Sequence, residues 1–233
     1  MPYRKSSARC DCEKAIKHFI SQSKTASLKK NKIPYDIMQC VFKSAFFQSS
    51  AALEDYIKAI FEDWLTMLHK NNCNLNLLPS ELINMAIINK NINAYKSFIV
   101  NGDEYSLMKK VMRNSQSKLL HDNSTKIKKV IHQSEYIADK KYPSEDNLLK
   151  AFRRFGINHI FNEVNRVGKR DFKFILKSFS DTRTSIAHEV VNINLTYQDV
   201  NVNLRNIIDF VQFIDKVLHK HVTKNSGSMY WPS

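Results

Sequence analysis

The chain has 233 residues, of which only four are glycine and five are proline, and its formal net charge is +14. Scarce glycine disfavours many-turned β-folds and glycine-rich nucleotide loops, because both need backbone at positive φ. The positive charge favours a polyanionic partner, with nucleic acid ahead of an anionic membrane. A lysine-rich composition without a binding role is the alternative.

The cysteine, metal and membrane signals are weak. The four cysteines (Cys10, Cys12, Cys40 and Cys73) lack the spacing of a metal site. No apolar run reaches the roughly 18 residues of a membrane span, and no apolar segment follows the basic N-terminus as it would in a signal peptide. We therefore expect a cytoplasmic protein with reduced thiols, no metal, no cofactor and no membrane association.

The first part of the chain divides into a basic segment and a long helix. Residues 1–33 carry nine lysines and arginines against two acids, which predicts a basic N-terminal extension with a short helix over 11–22 and a solvated linker. A strong helix is predicted over 35–70, where apolar residues recur every three or four positions. Its stripe consists of Leu53, Ile57, Ile60, Phe61, Trp64, Leu65 and Leu68.

Two helices and a polar connector are predicted next. Ser80 is a candidate N-cap of a helix that reaches a C-cap at Asn101-Gly102, and a break near 89–93 is left open. A second helix is predicted over 104–121. Residues 122–143 are polar, basic and weakly periodic, which favours a partly helical connector.

Three helical segments are predicted over 144–190. Ser144 is a candidate N-cap of a helix that ends at Gly156, and a second segment reaches Gly168. A third helix is predicted over 171–190 from the spacing of its apolar residues. These are Phe172, Phe174, Ile175, Leu176, Phe179, Ile186 and Val190.

The last helix has the clearest start signal. Thr196 and Asp199 resemble a capping box, and an apolar stripe follows from Val200 to Leu218, with an end near His221. We therefore expect an all-α fold, a bundle of five to seven helices. Its parts are a basic extension over 1–33, a helical domain over 34–222 and a flexible tail over 223–233.

An arginine and a histidine separated by four residues occur twice, as Arg154–His159 and Arg183–His188. The first pair straddles Gly156, which should stop a helix, whereas the second lies inside a well-patterned helix. Arginine is a bidentate clamp for phosphate, and histidine is an acid or base near neutral pH. Arg183 and His188 are therefore candidate catalytic residues for phosphate binding and for acid–base chemistry, with a structural role in the bundle as the alternative for each.

The spacing of the second pair has a geometric consequence. Five steps of about 100° put Arg183 and His188 about 140° apart around one helix, with an axial offset of about 7.5 Å. The two side chains cannot both point squarely at one small site on their own helix. A composite site, in which two copies of the motif meet across a two-fold axis, fits better.

The order of these features resembles the HEPN superfamily, and within it the RiboL-PSP-type domains. The resemblance rests on ALEDYIK (52–58), KAFRRFGI (150–157), RTSIAHE (183–189) and LTYQDVNVNL (195–204). It covers about 40–222 and implies an endoribonuclease that leaves 2′,3′-cyclic phosphate ends, with its cleft at a homodimer interface. RNA is the implied substrate, and the resemblance leaves room for an antitoxin or defence-system partner.

Three further residues are candidates for supporting roles. Thr184 follows the motif arginine, where HEPN motifs often carry Asn, Asp or His, and it is a poorer acid or amide substitute. Ser185 could bind phosphate by a hydrogen bond, with a plain helix-surface serine as the alternative. Glu54 resembles an acidic residue of many HEPN domains that would orient His188 or Arg183; a solvated glutamate is the alternative.

These features support functions from different classes. The first is a HEPN endoribonuclease that acts as a toxin or phage-defence effector. The second is a non-catalytic HEPN module that binds RNA or protein as a dimerising adaptor, which Thr184 favours. A helical DNA-binding regulator ranks last, because no helix-turn-helix spacing is convincing.

Overall fold

The computed structural model describes residues 2–115, 125–127, 143–188 and 193–233. These ranges contain eight α-helices and no β-strand, so the all-α prediction is confirmed, with one helix more than the expected range. An isolated antiparallel bridge joins Asn74 to Lys126. The helices are α1 (Ser7–Ser27), α2 (Tyr35–Lys70), α3 (Ser80–Asn101), α4 (Glu104–Ser115), α5 (Glu145–Arg154), α6 (Ile160–Gly168), α7 (Phe172–His188) and α8 (Tyr197–Asn225).

Helix α2 carries the central apolar face of the bundle, as its periodicity predicts. All seven predicted stripe residues are buried. The ring of Phe61 stacks on that of Phe155, after α5, with 3.9 Å between the centroids. Nearer the start of α2, Phe46 stacks on Phe179 of α7 at 5.6 Å. Stacked aromatic pairs add to the stabilisation from burial, and here they fix α5 and α7 against the same helix.

Helix α8 begins with the predicted capping box. The Thr196 hydroxyl accepts a hydrogen bond from Asp199 N at 3.1 Å, and the Asp199 carboxylate accepts one from Thr196 N at 2.8 Å. One face of α8 is buried along its length and packs against α1, α2, α6 and α7. The helix continues one turn beyond its predicted end at His221, to Asn225.

Of the other predicted caps, those at Ser144 and Gly102 are right and the one at Ser80 is wrong. The Ser144 hydroxyl accepts a hydrogen bond from Asn147 N at the start of α5, and Gly102 adopts a left-handed conformation with φ 65° after α3. Ser80 does not cap α3: Pro79 occupies the cap position with no side-chain hydrogen bond, and Ser80 is the first helical residue.

The structure decides the open question about α3, and it describes only part of the helix predicted over 104–121. Helix α3 continues without a break across 89–93. The predicted helix over 104–121 contains α4, and its remainder from 116 onward lies outside the described residues, as does most of the predicted connector over 122–143. Residues 189–192, which follow α7, also lie outside them.

The N-terminal segment contains a longer helix than its sequence predicts. Helix α1 spans Ser7–Ser27 rather than 11–22, and it packs against α2 and α8. Cys12 and Ile16 are buried on its inner face. This face contains few large apolar residues, and its partners lie far away in sequence, so local periodicity gives little signal for it.

The C-terminal residues pack against the bundle, so the prediction of a frayed end is wrong for Tyr230 and Trp231. These side chains are only 6% and 5% exposed. The Trp231 indole N–H donates a hydrogen bond to the Arg4 carbonyl oxygen at 2.9 Å, and its ring meets His219 of α8 edge-on. The two ends of the chain are therefore joined beside α8, while the expected domain boundaries stay predictions.

A buried carboxylate ties the N-terminal segment to α8. Asp215 is fully buried and accepts hydrogen bonds from the Tyr3 hydroxyl at 2.5 Å, from Ser6 N at 3.2 Å and from the Ser6 hydroxyl. The Tyr56 hydroxyl of α2 donates to the same carboxylate at 3.4 Å. Burial, followed by the hydrogen bond to Asp215, raises the pKa of Tyr3, so this hydroxyl stays protonated as a donor. The network supplies the partners that a buried charge requires.

Removal of the Asp215 carboxylate tests whether this network stabilises the fold. Asp215→Ala leaves the half-buried Tyr3 hydroxyl and the buried Ser6 donors without their acceptor, so we expect the free energy of unfolding to fall by about 2–4 kcal/mol. Urea unfolding followed by circular dichroism measures the change. Asp209→Ala is the control, since Asp209 forms a more exposed ion pair with Arg170 at 2.8 Å and should cost less than about 1 kcal/mol. Equal losses in the two variants would contradict the role assigned to the network.

Candidate functional site

Helix α7, which carries the Arg/His motif, has one buried side and one exposed side. Phe172, Leu176, Phe179 and Ile186 are buried. Phe174 was predicted in the same apolar stripe, but it is 68% exposed. Two steps of the helix turn it about 200° away from Phe172, which puts it on the outer side. The outer side of α7 therefore carries an exposed aromatic ring.

Arg183 lies on the inner side of α7, where it covers an aromatic ring. It follows Leu176 by seven positions, so the two residues share a side of the helix. The guanidinium carbon of Arg183 is 5.2 Å from the centroid of the Phe47 ring in α2, within the range of a cation–π contact, and the residue is half-buried. This contact holds the guanidinium against the face of an aromatic ring.

His188 is the last described residue of α7, and it is exposed. It follows Asp181 by seven positions and Lys177 by eleven, so each of these residues lies within about 20° of His188 around the helix. Arg183 lies about 140° away from this outer side by the same geometry. Within one chain, the structure therefore does not bring the guanidinium and the imidazole together.

The residues beside the motif arginine face solvent and a neighbouring groove. Thr184 is exposed, and Ser185 is half-buried. Ser185 lines an open groove of about 600 Å³ between α7 and residues 193–203, together with Asp199 and Asn203 of α8. Ser185 thus lines a groove of mixed polar and apolar residues close to the motif, but it lies on a different side of α7 from Arg183.

Glu54 lies on α2, on the same side of that helix as Phe47. It follows Phe47 by seven positions, which places it about 10 Å further along the helix axis. Glu54 is half-buried, and among the described residues no hydrogen bond or ion pair joins it to Arg183 or His188. A role for Glu54 in orienting the motif stays a prediction.

A buried glutamine anchors the segment that follows the motif helix. The Gln39 side-chain nitrogen donates to the Leu195 carbonyl oxygen at 2.8 Å, and its oxygen accepts from Leu195 N at 2.9 Å. Both backbone groups of Leu195 are therefore bound to α2, a few positions before Phe47. Sequence analysis missed Gln39 and Phe47, because a local pattern does not distinguish an inward glutamine from a solvated one, or a ring under a guanidinium from any other apolar residue.

The alternative Arg/His pair is not held on one helix. Arg154 is the last residue of α5, and His159 is the residue before α6. Between them, Gly156 has φ 83°, and a Cβ atom there would lie 2.7 Å from the Cβ of Pro79. Only glycine fits this turn without strain, as its position between two helical segments predicts.

The described residues offer no group of three or more His, Cys, Asp and Glu side chains that could hold a metal ion. In the same part of the chain, no helix is both long and apolar enough to cross a membrane. The four cysteines are free thiols. Burial raises the pKa of the Cys12 thiol to about 12, so this thiol stays protonated and is a poor nucleophile.

Residues 9–220 match the family model described as RiboL-PSP-HEPN. The chain belongs to the RiboL-PSP-HEPN family. The match confirms the resemblance drawn from the four sequence segments, and it includes most of α1, which the resemblance did not cover. Membership in the HEPN family suggests a ribonuclease or nucleotide-binding function. No curated protein and no solved structure gives a significant match to the chain.

Replacement of Gln39 tests whether it anchors the segment after the HEPN motif helix. Gln39→Ala removes both hydrogen bonds to Leu195, so we expect hydrogen exchange at Leu195 N to become at least about tenfold faster, with a loss of about 1–3 kcal/mol in stability. Hydrogen–deuterium exchange with mass spectrometry over 193–200 measures this change. Gln48→Ala, at an exposed position of the same helix, is the control. Unchanged exchange in Gln39→Ala would disprove the anchoring role.

Proposed function

We propose that this HEPN protein is a metal-independent endoribonuclease, a toxin or phage-defence effector, with a composite site between two copies of the chain. The observation that carries the proposal is the arrangement of the motif on α7. His188 is exposed at the described end of the helix, while Arg183 lies on another side over Phe47. Both residue types that the chemistry needs are thus present on one helix of a HEPN domain.

Cleavage of RNA without a metal needs a base, an acid and a cation. The base removes the proton of the 2′-hydroxyl, and the resulting oxygen attacks the phosphorus. The acid protonates the departing 5′-oxygen, so the products are a 2′,3′-cyclic phosphate and a 5′-hydroxyl end. Histidine supplies both proton transfers near neutral pH, and arginine stabilises the charge on the phosphorane oxygens.

The need for two proton-transfer groups favours a dimer. The end of α7 presents one exposed histidine per chain, whereas the reaction uses an acid and a base on opposite sides of the phosphorus. A two-fold axis beside this end would supply His188 twice, once as the base and once as the acid. Phe174, exposed on the outer side of the same helix, would give the second copy an apolar surface to cover.

The charge of the chain supports RNA as the substrate. A net charge of +14 over 233 residues increases the local concentration of a polyanion and its rate of association. The same charge would support binding without cleavage. It therefore supports RNA as the ligand, but it does not support cleavage of that RNA.

A non-catalytic HEPN adaptor is the second candidate function. Thr184 favours it, because this exposed residue carries a hydroxyl next to the motif arginine, where HEPN motifs often carry an amide, an acid or an imidazole. Such an adaptor would dimerise and bind RNA or a protein, including an antitoxin or a defence-system component. It would do so equally well after the loss of the His188 imidazole.

Incubation of the protein with total cellular RNA in EDTA tests the proposal. We expect cleavage by the wild type and by His159→Ala, and a loss of about 100-fold or more in His188→Ala and Arg183→Ala. His159→Ala is the matched control, because His159 belongs to the alternative Arg/His pair. Circular dichroism and size-exclusion chromatography check that each variant is folded and has the same oligomeric state.

The outcomes separate the two candidate functions. New 2′,3′-cyclic phosphate ends in the wild-type and His159→Ala reactions, but not in the His188→Ala and Arg183→Ala reactions, would support the ribonuclease. No cleavage by any folded, dimeric sample would favour the adaptor. Equal cleavage by the wild type and His188→Ala would contradict the assignment of this histidine.

A further inference from the structure

A second groove, which contains several lysines, lies far from the HEPN motif. It runs between α6 and the C-terminal half of α8 and encloses about 470 Å³. Lys216, the first α8 residue in this groove, follows Tyr197 by nineteen positions and therefore lies about 30 Å from the start of α8. The groove is thus separate from the end of α7, where His188 is exposed.

Three lysines form a single row along the α8 side of the groove. Lys216, Lys220 and Lys224 recur every fourth residue, so they share one side of α8 at intervals of about 6 Å. Lys220 and Lys224 are exposed, and Lys216 lies 5.0 Å from the centroid of the Phe213 ring. Among the described residues, no carboxylate forms an ion pair with any of the three. Their charges are therefore available to a ligand.

The opposite side of the groove adds little negative charge. Its acidic residue, Glu163, forms an ion pair with Arg166 one turn later on α6. The two charges offset each other, so the lysine row sets the sign of the groove.

The floor of the groove is formed by a half-buried histidine and a tight turn, and the Glu81 carboxylate borders this turn. His221 Nε2 lies 2.8 Å from the Phe155 carbonyl oxygen, an arrangement that requires this nitrogen to carry the proton. Burial lowers the pKa of His221, which keeps the imidazole neutral at pH 7. The adjacent turn is fixed by the close packing of Gly156 on Pro79. The cations are therefore displayed on a preformed surface, which reduces the ordering cost of binding.

We infer that this groove binds the phosphate backbone of single-stranded RNA and holds the substrate at a distance from the cleavage site. A single row of cations at regular intervals suits one strand, and lysine contacts phosphates without regard to sequence. A protein partner would be expected to use large apolar anchors. Of the groove residues, Val167 is the one large apolar side chain that is substantially exposed. The inference rests on the proposed function, since RNA is the substrate proposed above.

A charge-removing variant tests the groove by binding, independently of cleavage. In the His188→Ala background, Lys216, Lys220 and Lys224 are replaced by glutamine, which keeps the length and helix propensity of the side chains. Fluorescence anisotropy with a short labelled oligouridylate gives the affinity at several salt concentrations. We expect binding to weaken at least about tenfold, and the slope of log K against log salt to fall by about 2, because three phosphate contacts are lost.

A matched variant removes the same charge elsewhere. Lys58, Lys70 and Lys96 lie on α2 and α3, outside the groove, and their replacement by glutamine should change the affinity by less than about twofold. With His188 restored, the groove variant should raise KM for a long RNA and leave kcat unchanged. Thermal unfolding checks that both triple variants are folded.

Each outcome of these experiments either supports or overturns RNA binding at the groove. Selective loss in the groove variant supports the inference, even if the wild type proves unable to cleave. Equal losses in the two triple variants would overturn it, because net charge alone would then explain binding. The absence of oligouridylate binding by the parent protein would also overturn it, as would binding to anionic phospholipid vesicles alone. Cleavage that depends on His188 but not on the lysine row would disprove RNA binding at the groove, while the proposed ribonuclease activity would stand.

Discussion

Helix α8 constrains the position of most of the bundle, because one long buried face must be covered by four other helices. Helices α1, α2, α6 and α7 all pack against it. Its capping box fixes where it begins, at Thr196, just after the segment that Gln39 holds to α2. Its far end carries the lysine row. The geometry of α8 therefore fixes where the segment before it, which follows the motif helix, must end. It also sets the distance between the two candidate RNA-binding surfaces.

The elements that sequence predicts well are those whose signals are local. The apolar stripe of α2 recurs with the period of a helix, and the cap at Thr196 combines two side chains three residues apart. The glycine after α3 adopts the positive φ that its residue type allows most readily. These features depend on neighbours within one or two turns, so they can be recognised without knowledge of the tertiary structure.

The elements that sequence misses are those that depend on distant partners. Asp215 interrupts the apolar face of α8, and its partners Tyr3 and Ser6 lie more than two hundred positions earlier. The same junction orders the start of α1, and Trp231 of the C-terminal end packs beside it through Arg4. For Phe174 the error is the opposite one. Its apolar side chain is predicted to lie in the core, but the turn of the helix carries it to the outer side.

The candidate site also combines features that have a local sequence signal with features that depend on distant partners. Residue type and spacing identify Arg183 and His188 and predict that they diverge around one helix, and the fold keeps them on different sides of α7. The stacking of Arg183 on Phe47 and the anchoring of Leu195 by Gln39 both cross from α2, so they have no local signature. Because of this divergence, we propose that a reaction that uses both groups at one phosphorus takes one of them from a second chain.

If two copies of the motif form one site, as we propose, mixed dimers of active and inactive chains provide a direct test. Wild-type protein is co-expressed with an excess of differently tagged His188→Ala protein, and the mixed dimers are isolated by sequential affinity steps. We expect mixed dimers to cleave RNA at least about 100-fold more slowly than wild-type dimers, because one of the two proton-transfer groups is missing. Mixed dimers with half the wild-type activity would contradict it, since each chain would then carry a complete site of its own.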